Sequence, residues 1–131
     1  MKNKLCRWGL VACGLLMLAP SVLRAEGKPV MTVLTVKLKG DRDAYLQKVK
    51  GVMALAEKLQ TGGKMRIWQA TLAGSDTRLI YASIEYANME AMAKAVTKLQ
   101  SDDEWKKLLK DIDQSGVREV VSSELIEDVT P

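Results

Sequence analysis

The chain has 131 residues, 47% of them hydrophobic and 27% charged, a formal net charge of +4 and no histidine. Without histidine, and with only Cys6 and Cys13 as thiols, it lacks the usual ligands of zinc and iron centres and the usual base of a serine hydrolase. The positive charge is confined to the start. Lys2, Lys4 and Arg7 precede an apolar run from Trp8 to Ala19, Pro20 breaks it, and Leu23-Arg24-Ala25 offers a small-residue cleavage site. This is the pattern of a secretory signal peptide over residues 1–25, which predicts export to the periplasm or beyond. An uncleaved anchor is one rival. Another is Leu10-Val11-Ala12-Cys13, which has the form of a lipoprotein signal but sits early, because most of the apolar run follows Cys13. Removing Lys2, Lys4, Arg7 and Arg24 from 20 basic residues leaves 16, against 16 acidic ones. A neutral domain gives no electrostatic reason to expect a nucleic-acid or anionic-membrane partner. Both cysteines leave with the leader, so the domain must be held by its core or by association rather than by a disulfide.

Val30 to Leu38 is rich in Val, Thr and Leu, apolar on both faces, and predicts a strand buried on both sides. Gly40 and Asp41 punctuate, and Asp41 can cap a helix from Arg42 to about Gln60 with Tyr45, Val49, Val52, Ala56 and Leu59 on one face. Thr61-Gly62-Gly63 ends that helix. Lys64 to Ala73 and Arg78 to Tyr86 read as a hairpin joined by Gly74-Ser75-Asp76-Thr77. Its register stays open: an even loop sets Trp68 opposite Ser83, on the face of Tyr81, whereas an odd one sets Trp68 opposite Ala82, among Ile80 and Ile84. Asn88 caps a helix with Met89, Met92, Ala93, Val96 and Leu99 at helical spacing. Ser101 and Glu104 form a capping box for a second helix carrying Trp105, Leu108, Leu109 and Ile112. Asp113 to Gly116 is a turn, and Val117 to Ile126 is the last strand.

Strand, helix, strand, strand, helix pair, strand is the ferredoxin-like α+β order, a four-stranded antiparallel sheet with helices on one face. The other face carries Met31, Val33, Leu79 and Tyr81, with Val120 or Val121 from the last strand, and an apolar face of this size predicts an interface. The element order, with Tyr86-Ala-Asn-Met-Glu-Ala91 and Ser101-Asp-Asp-Glu-Trp105, resembles the dimeric α+β barrel superfamily and, within it, the antibiotic-biosynthesis-monooxygenase-like proteins. The resemblance spans about Pro29 to Val129 as one domain. It implies a homodimer whose two sheets face each other, with a pocket between sheet and helices. Among its members are cofactor-free oxygenases of polycyclic aromatic substrates and haem-degrading enzymes. The haem branch looks to use a histidine with an Asn and a Trp; Asn88 and Trp68 are present, but the histidine is not, so no cofactor is expected.

The chemistry-bearing residues divide readily. Met89 and Met92 could offer thioethers to Cu(I), but they lie on an apolar stripe and read as core. Asp102, Asp103 and Glu104 suit the positive end of a helix dipole without any metal. Ser122 and Ser123 have no base to activate them, Gly62-Gly63-Lys64 is a helix stop rather than a phosphate loop, and Lys94, Lys98, Lys106, Lys107 and Lys110 are offset by neighbouring acids. The aromatics remain. Trp68, Tyr81, Tyr86 and Trp105 are the ligand-pocket candidates, with core packing the competing explanation for Tyr86 and Trp105. Glu85 is the one acid inside the first three strands; near the strand end it is expected to face solvent, where it would not act as a general base. The expected function is an exported domain binding a small apolar or aromatic molecule between sheet and helices. The alternatives are a cofactor-independent monooxygenase and a purely structural homodimerisation domain.

Overall fold

Val30–Leu38 forms β1 as its composition predicts, and Arg42–Lys58 forms α1, whose first turn is closed by the Asp41 carboxylate accepting from the Ala44 N–H at 2.7 Å. The computed structural model describes residues 27–131, so the leader and the Cys13 motif lie outside the described residues. α1 stops two residues short of Gln60, which with Gly62 takes a positive φ (50° and 73°) and reverses the chain into β2, Lys64–Gln69. β3 is Ile80–Tyr86, α2 Met89–Ser101, α3 Asp103–Gln114 and β4 Arg118–Glu127. Asn88 caps α2 as expected, accepting from the Ala91 N–H at 2.8 Å. The expected capping box of α3 is corrected: Asp102 is the cap, accepting from the Trp105 N–H at 2.7 Å, while the Ser101 hydroxyl donates back to the Lys98 carbonyl at 2.8 Å. An aspartate carboxylate one residue later satisfies the same orphan amides with a charge the helix dipole favours.

The sheet order is β2-β3-β1-β4, every neighbouring pair antiparallel, with three helices: the ferredoxin-like α+β fold. The hairpin is shorter in the sheet and longer in the loop than its residues suggest. The Ala70 N–H donates to the Leu79 carbonyl at 3.0 Å near the end of the pairing, and beyond Ala70 residues Gly74–Asp76 form a 3₁₀ turn. Arg78 closes the loop in a left-handed conformation (φ 77°), donating from its backbone N–H to the Ala70 carbonyl at 2.7 Å. Leu72, read as strand, is therefore 99% exposed. Trp68 pairs with Tyr81 instead of Ser83. A two-residue shift preserves the faces, so Trp68 does share the face of Tyr81.

Helices cover only one face. Val36 and Ile80 point towards Tyr45, Val49 and Val52 of α1 and Ile112 of α3, and a second cluster joins Val30, Tyr86 and Ala95. Each such side chain contributes roughly 1.5–3 kcal/mol by leaving water. In α2 the buried stripe is turned from the expected one: Ala95 and Leu99 are buried, while Met89 and Ala93 are exposed. Burial raises the Tyr86 phenol above its ordinary pKa. Arg118 lies nine-tenths buried, donating to Asp113 Oδ1 at 2.9 Å. Burial alone would lower its pKa, but Asp113 and Tyr45 outweigh that and raise it.

Gly63 is fixed by close approach. A Cβ there would lie 2.7 Å from Ile84 Cγ2 and 2.8 Å from Tyr86 Cε1, both held on the core side of the sheet. Gly63→Ala is therefore expected to destabilise the domain by about 1–3 kcal/mol, because core side chains must leave their rotamers to admit one methyl group. A guanidinium unfolding midpoint equal to that of the parent protein would refute this.

Candidate functional site

β2 alternates strictly. Met65 and Ile67 pack against the core, which turns Lys64, Arg66 and Trp68 to the open face. Across the strand pair these three stand opposite Glu85, Ser83 and Tyr81, and Met31 and Val33 of β1 complete the floor. Together they line a cleft of about 350 Å³. Its one rigid wall is the Trp68 indole, 53% exposed, whose Nε1–H donates to Ser83 Oγ at 3.1 Å. Ser83 is buried, and its hydroxyl lies 3.5 Å from the Arg66 carbonyl. The ring is thus held edge-on by a hydrogen bond and presents its face to whatever enters.

The four aromatic candidates separate into two pairs. Trp68 and Tyr81 stand side by side in the cleft, whereas Tyr86 is buried on the helix side with Val30 and Ala95, and Trp105 packs half-buried on the α1–α3 core. The space between sheet and helices is filled by that core, so the expected pocket there is corrected: the concavity at Trp68 lies on the opposite face. Glu85 is corrected too. It is half-buried in the cleft, since Met31 and Lys64 flank it on both sides and keep it within the sheet. Residue-by-residue reading missed Lys64, Arg66 and Ser83. The signal for the first two was their i, i+2, i+4 spacing with Trp68.

Other groups have ordinary partners. Asp102 caps α3, Asp103 pairs with Lys106 at 2.9 Å, and Glu104 pairs with Lys58 at 3.2 Å. Among the described residues no cluster of three His, Cys, Asp or Glu side chains could hold a metal ion, and no helix is long and apolar enough to cross a membrane. A wider depression of about 770 Å³ at the end of the sheet includes Lys37, Arg42, Arg78, Asp76 and Glu119. Two of its charges are paired, Glu119 with Lys39 at 2.5 Å and Arg42 with Asp43 at 3.3 Å, while Lys37, Asp76 and Arg78 form no ion pair among the described residues. In the cleft at Trp68, neither Lys64 nor Arg66 forms an ion pair among the described residues.

No protein-family model matches the sequence, and no curated protein matches it. Solved structures do match. A variant of SnoaB, a cofactor-independent oxygenase from Streptomyces nogalater, superposes with a TM-score of 0.61 at 10% identity, over 80% of this chain and 97% of that one. A NIPSNAP-family protein of unknown function from Agrobacterium tumefaciens gives 0.61 at 17% identity, over 81% and 95%. A dimeric ferredoxin-like protein from an uncultured marine organism gives 0.51 at 15%, over 79% and 90%. At these identities the likeness establishes the fold alone, the ferredoxin-like α+β fold.

Proposed function

We propose that this chain is an exported domain that pairs with a second copy through the open face of its sheet and holds a small apolar or aromatic molecule beside Trp68 and Tyr81. The observation that carries the reading is the indole itself: half-exposed, yet fixed by its bond to Ser83, in a cleft floored by Met31 and Val33. Oriented aromatic surface in a concavity is what a small ligand needs. Pairing is supported by Val121 and Ile126 of the edge strand β4, which remain substantially exposed, Ile126 directly beside Met31 on the open face. Apolar side chains left uncovered on a sheet face invite a partner. One of the solved structures of the same fold is described as dimeric. Native mass spectrometry of the protein purified from an exporting host tests leader, oligomer and ligand together. A dimer starting near Glu26 with a retained small-molecule mass is the expected result; a monomer would overturn the reading.

A second reading has its own support in Glu85. A half-buried carboxylate in the same cleft is placed to take a proton from an activated C–H of a bound aromatic, as a cofactor-independent monooxygenase requires. Dioxygen would be the oxidant, one atom entering the product as a carbonyl and the other leaving as water. Oxygen consumption with an anthrone substrate, lost in Glu85→Gln, would favour this over simple binding.

A further inference from the structure

We infer that the molecule held in this cleft is an aromatic acid, its ring system on the Trp68 indole and its carboxylate on the Arg66 guanidinium. This rests on the reading of the cleft as a ligand site and adds the charge of the ligand. Lys64, Arg66 and Trp68 project side by side from one face of β2, so a cation stands immediately next to the aromatic wall. Glu85 is the only acid lining the cleft, and it lies directly across from Lys64. Two cations thus face one acid, so the cleft carries a surplus of one positive charge, and Arg66 is the cation between Lys64 and the indole on β2. Arg66 stands opposite Ser83, but the serine oxygen already accepts from the indole, so it offers the guanidinium no charge to match. No ion pair involves Arg66 among the described residues.

A guanidinium presents a planar fork of donors that a carboxylate meets with two parallel hydrogen bonds, a geometry a lone hydroxyl or carbonyl does not fill. Met31 and Val33 on the floor lower the local dielectric, which strengthens such a pair relative to one in open water. The size of the cleft limits the rest. About 350 Å³ is at the small end of ligand pockets and suits a ring system of two or three fused rings with one acidic substituent. A neutral aromatic would occupy the indole face and leave the cation unmatched; an aliphatic acid would match the cation and leave the indole face to water.

Calorimetric titration with 2-naphthoate and its neutral isostere 2-naphthamide separates the possibilities. The naphthoate should bind about tenfold more tightly, the usual effect of one charge-assisted hydrogen-bonded pair, and added salt should erode that advantage. In Arg66→Gln the ratio should fall towards one. Because Arg66 is exposed, this variant is expected to unfold at the parent temperature, which keeps the comparison free of folding effects. Equal affinities in the parent protein would overturn the acid inference while leaving the cleft as an aromatic site. A preference that persists in Arg66→Gln would overturn the assignment to Arg66. Failure of both compounds to bind would overturn the inference and the underlying reading together.

Discussion

Ile126→Lys is expected to convert the proposed dimer to a monomer at micromolar concentration. Ile126 lies on β4 opposite Met31, on the open face, and is 43% exposed in the single chain. In a sheet-on-sheet pair that remaining surface would be covered at a separation of roughly 10 Å. A lysine ammonium there, even with Glu85 in the same hollow, must be desolvated or forced outward when the faces close, at about 2 kcal/mol or more. Two-fold symmetry places the substitution on both sides of the interface, so the total is about 4 kcal/mol and the dissociation constant rises roughly a thousandfold. The fold should persist, because Ile126 belongs to neither core cluster. Light scattering after gel filtration, with circular dichroism for folding, reads both. A variant that remains dimeric at the parent concentration dependence would mean that the open faces do not meet.

Trp68→Ala is expected to weaken ligand binding by about thirtyfold or more while the dimer survives. The exposed half of the indole is the surface a ring system would cover. Removing about 80 Å² of apolar contact corresponds to roughly 2 kcal/mol. Ser83 loses the donor that satisfies its oxygen but keeps the Arg66 carbonyl within 3.5 Å, so the local sheet has a remaining partner. Stability should change by no more than about 1 kcal/mol, as for most partly exposed substitutions. Isothermal titration with the ligand identified by mass, or with 2-naphthoate, checks the affinity. Loss of the dimer together with the ligand would make Trp68 an interface residue and favour a domain whose sheet face serves assembly alone.

Much of this was legible because local rules and tertiary demands agree. Val30–Leu38 is rich in Val, Leu and Thr and lies between two strands, β3 and β4, so its ends could be read residue by residue. Asp41 and Asn88 act at helix starts through bonds to amides three residues on, which is a local matter. The hairpin was not legible in the same way. Leu72 and Leu79 suggest strand on both arms, but the chain leaves the sheet at Ala70 because Arg78 accepts a left-handed conformation usually reserved for glycine or asparagine. No side-chain preference announces that. The choice of Asp102 over Ser101 as cap depended on where α2 unwinds, and α2 continues through Ser101.

The site divides along the same line. The amino-acid sequence alone determined that the domain is α+β with its elements in ferredoxin-like order, that Tyr45, Val49 and Val52 form one helix face, and that its chemistry cannot rest on histidine. It also singled out Trp68 and Tyr81. Only the tertiary structure decided that these two share a cleft with Arg66 and Glu85, that Tyr86 and Trp105 lie across the sheet in or against the core, and that the concavity opens away from the helices. The reason is geometric. Alternation along a strand assigns residues to two faces, but which face meets the helices, and which residues of other strands stand alongside, depends on cross-strand register and on packing between elements distant in the chain.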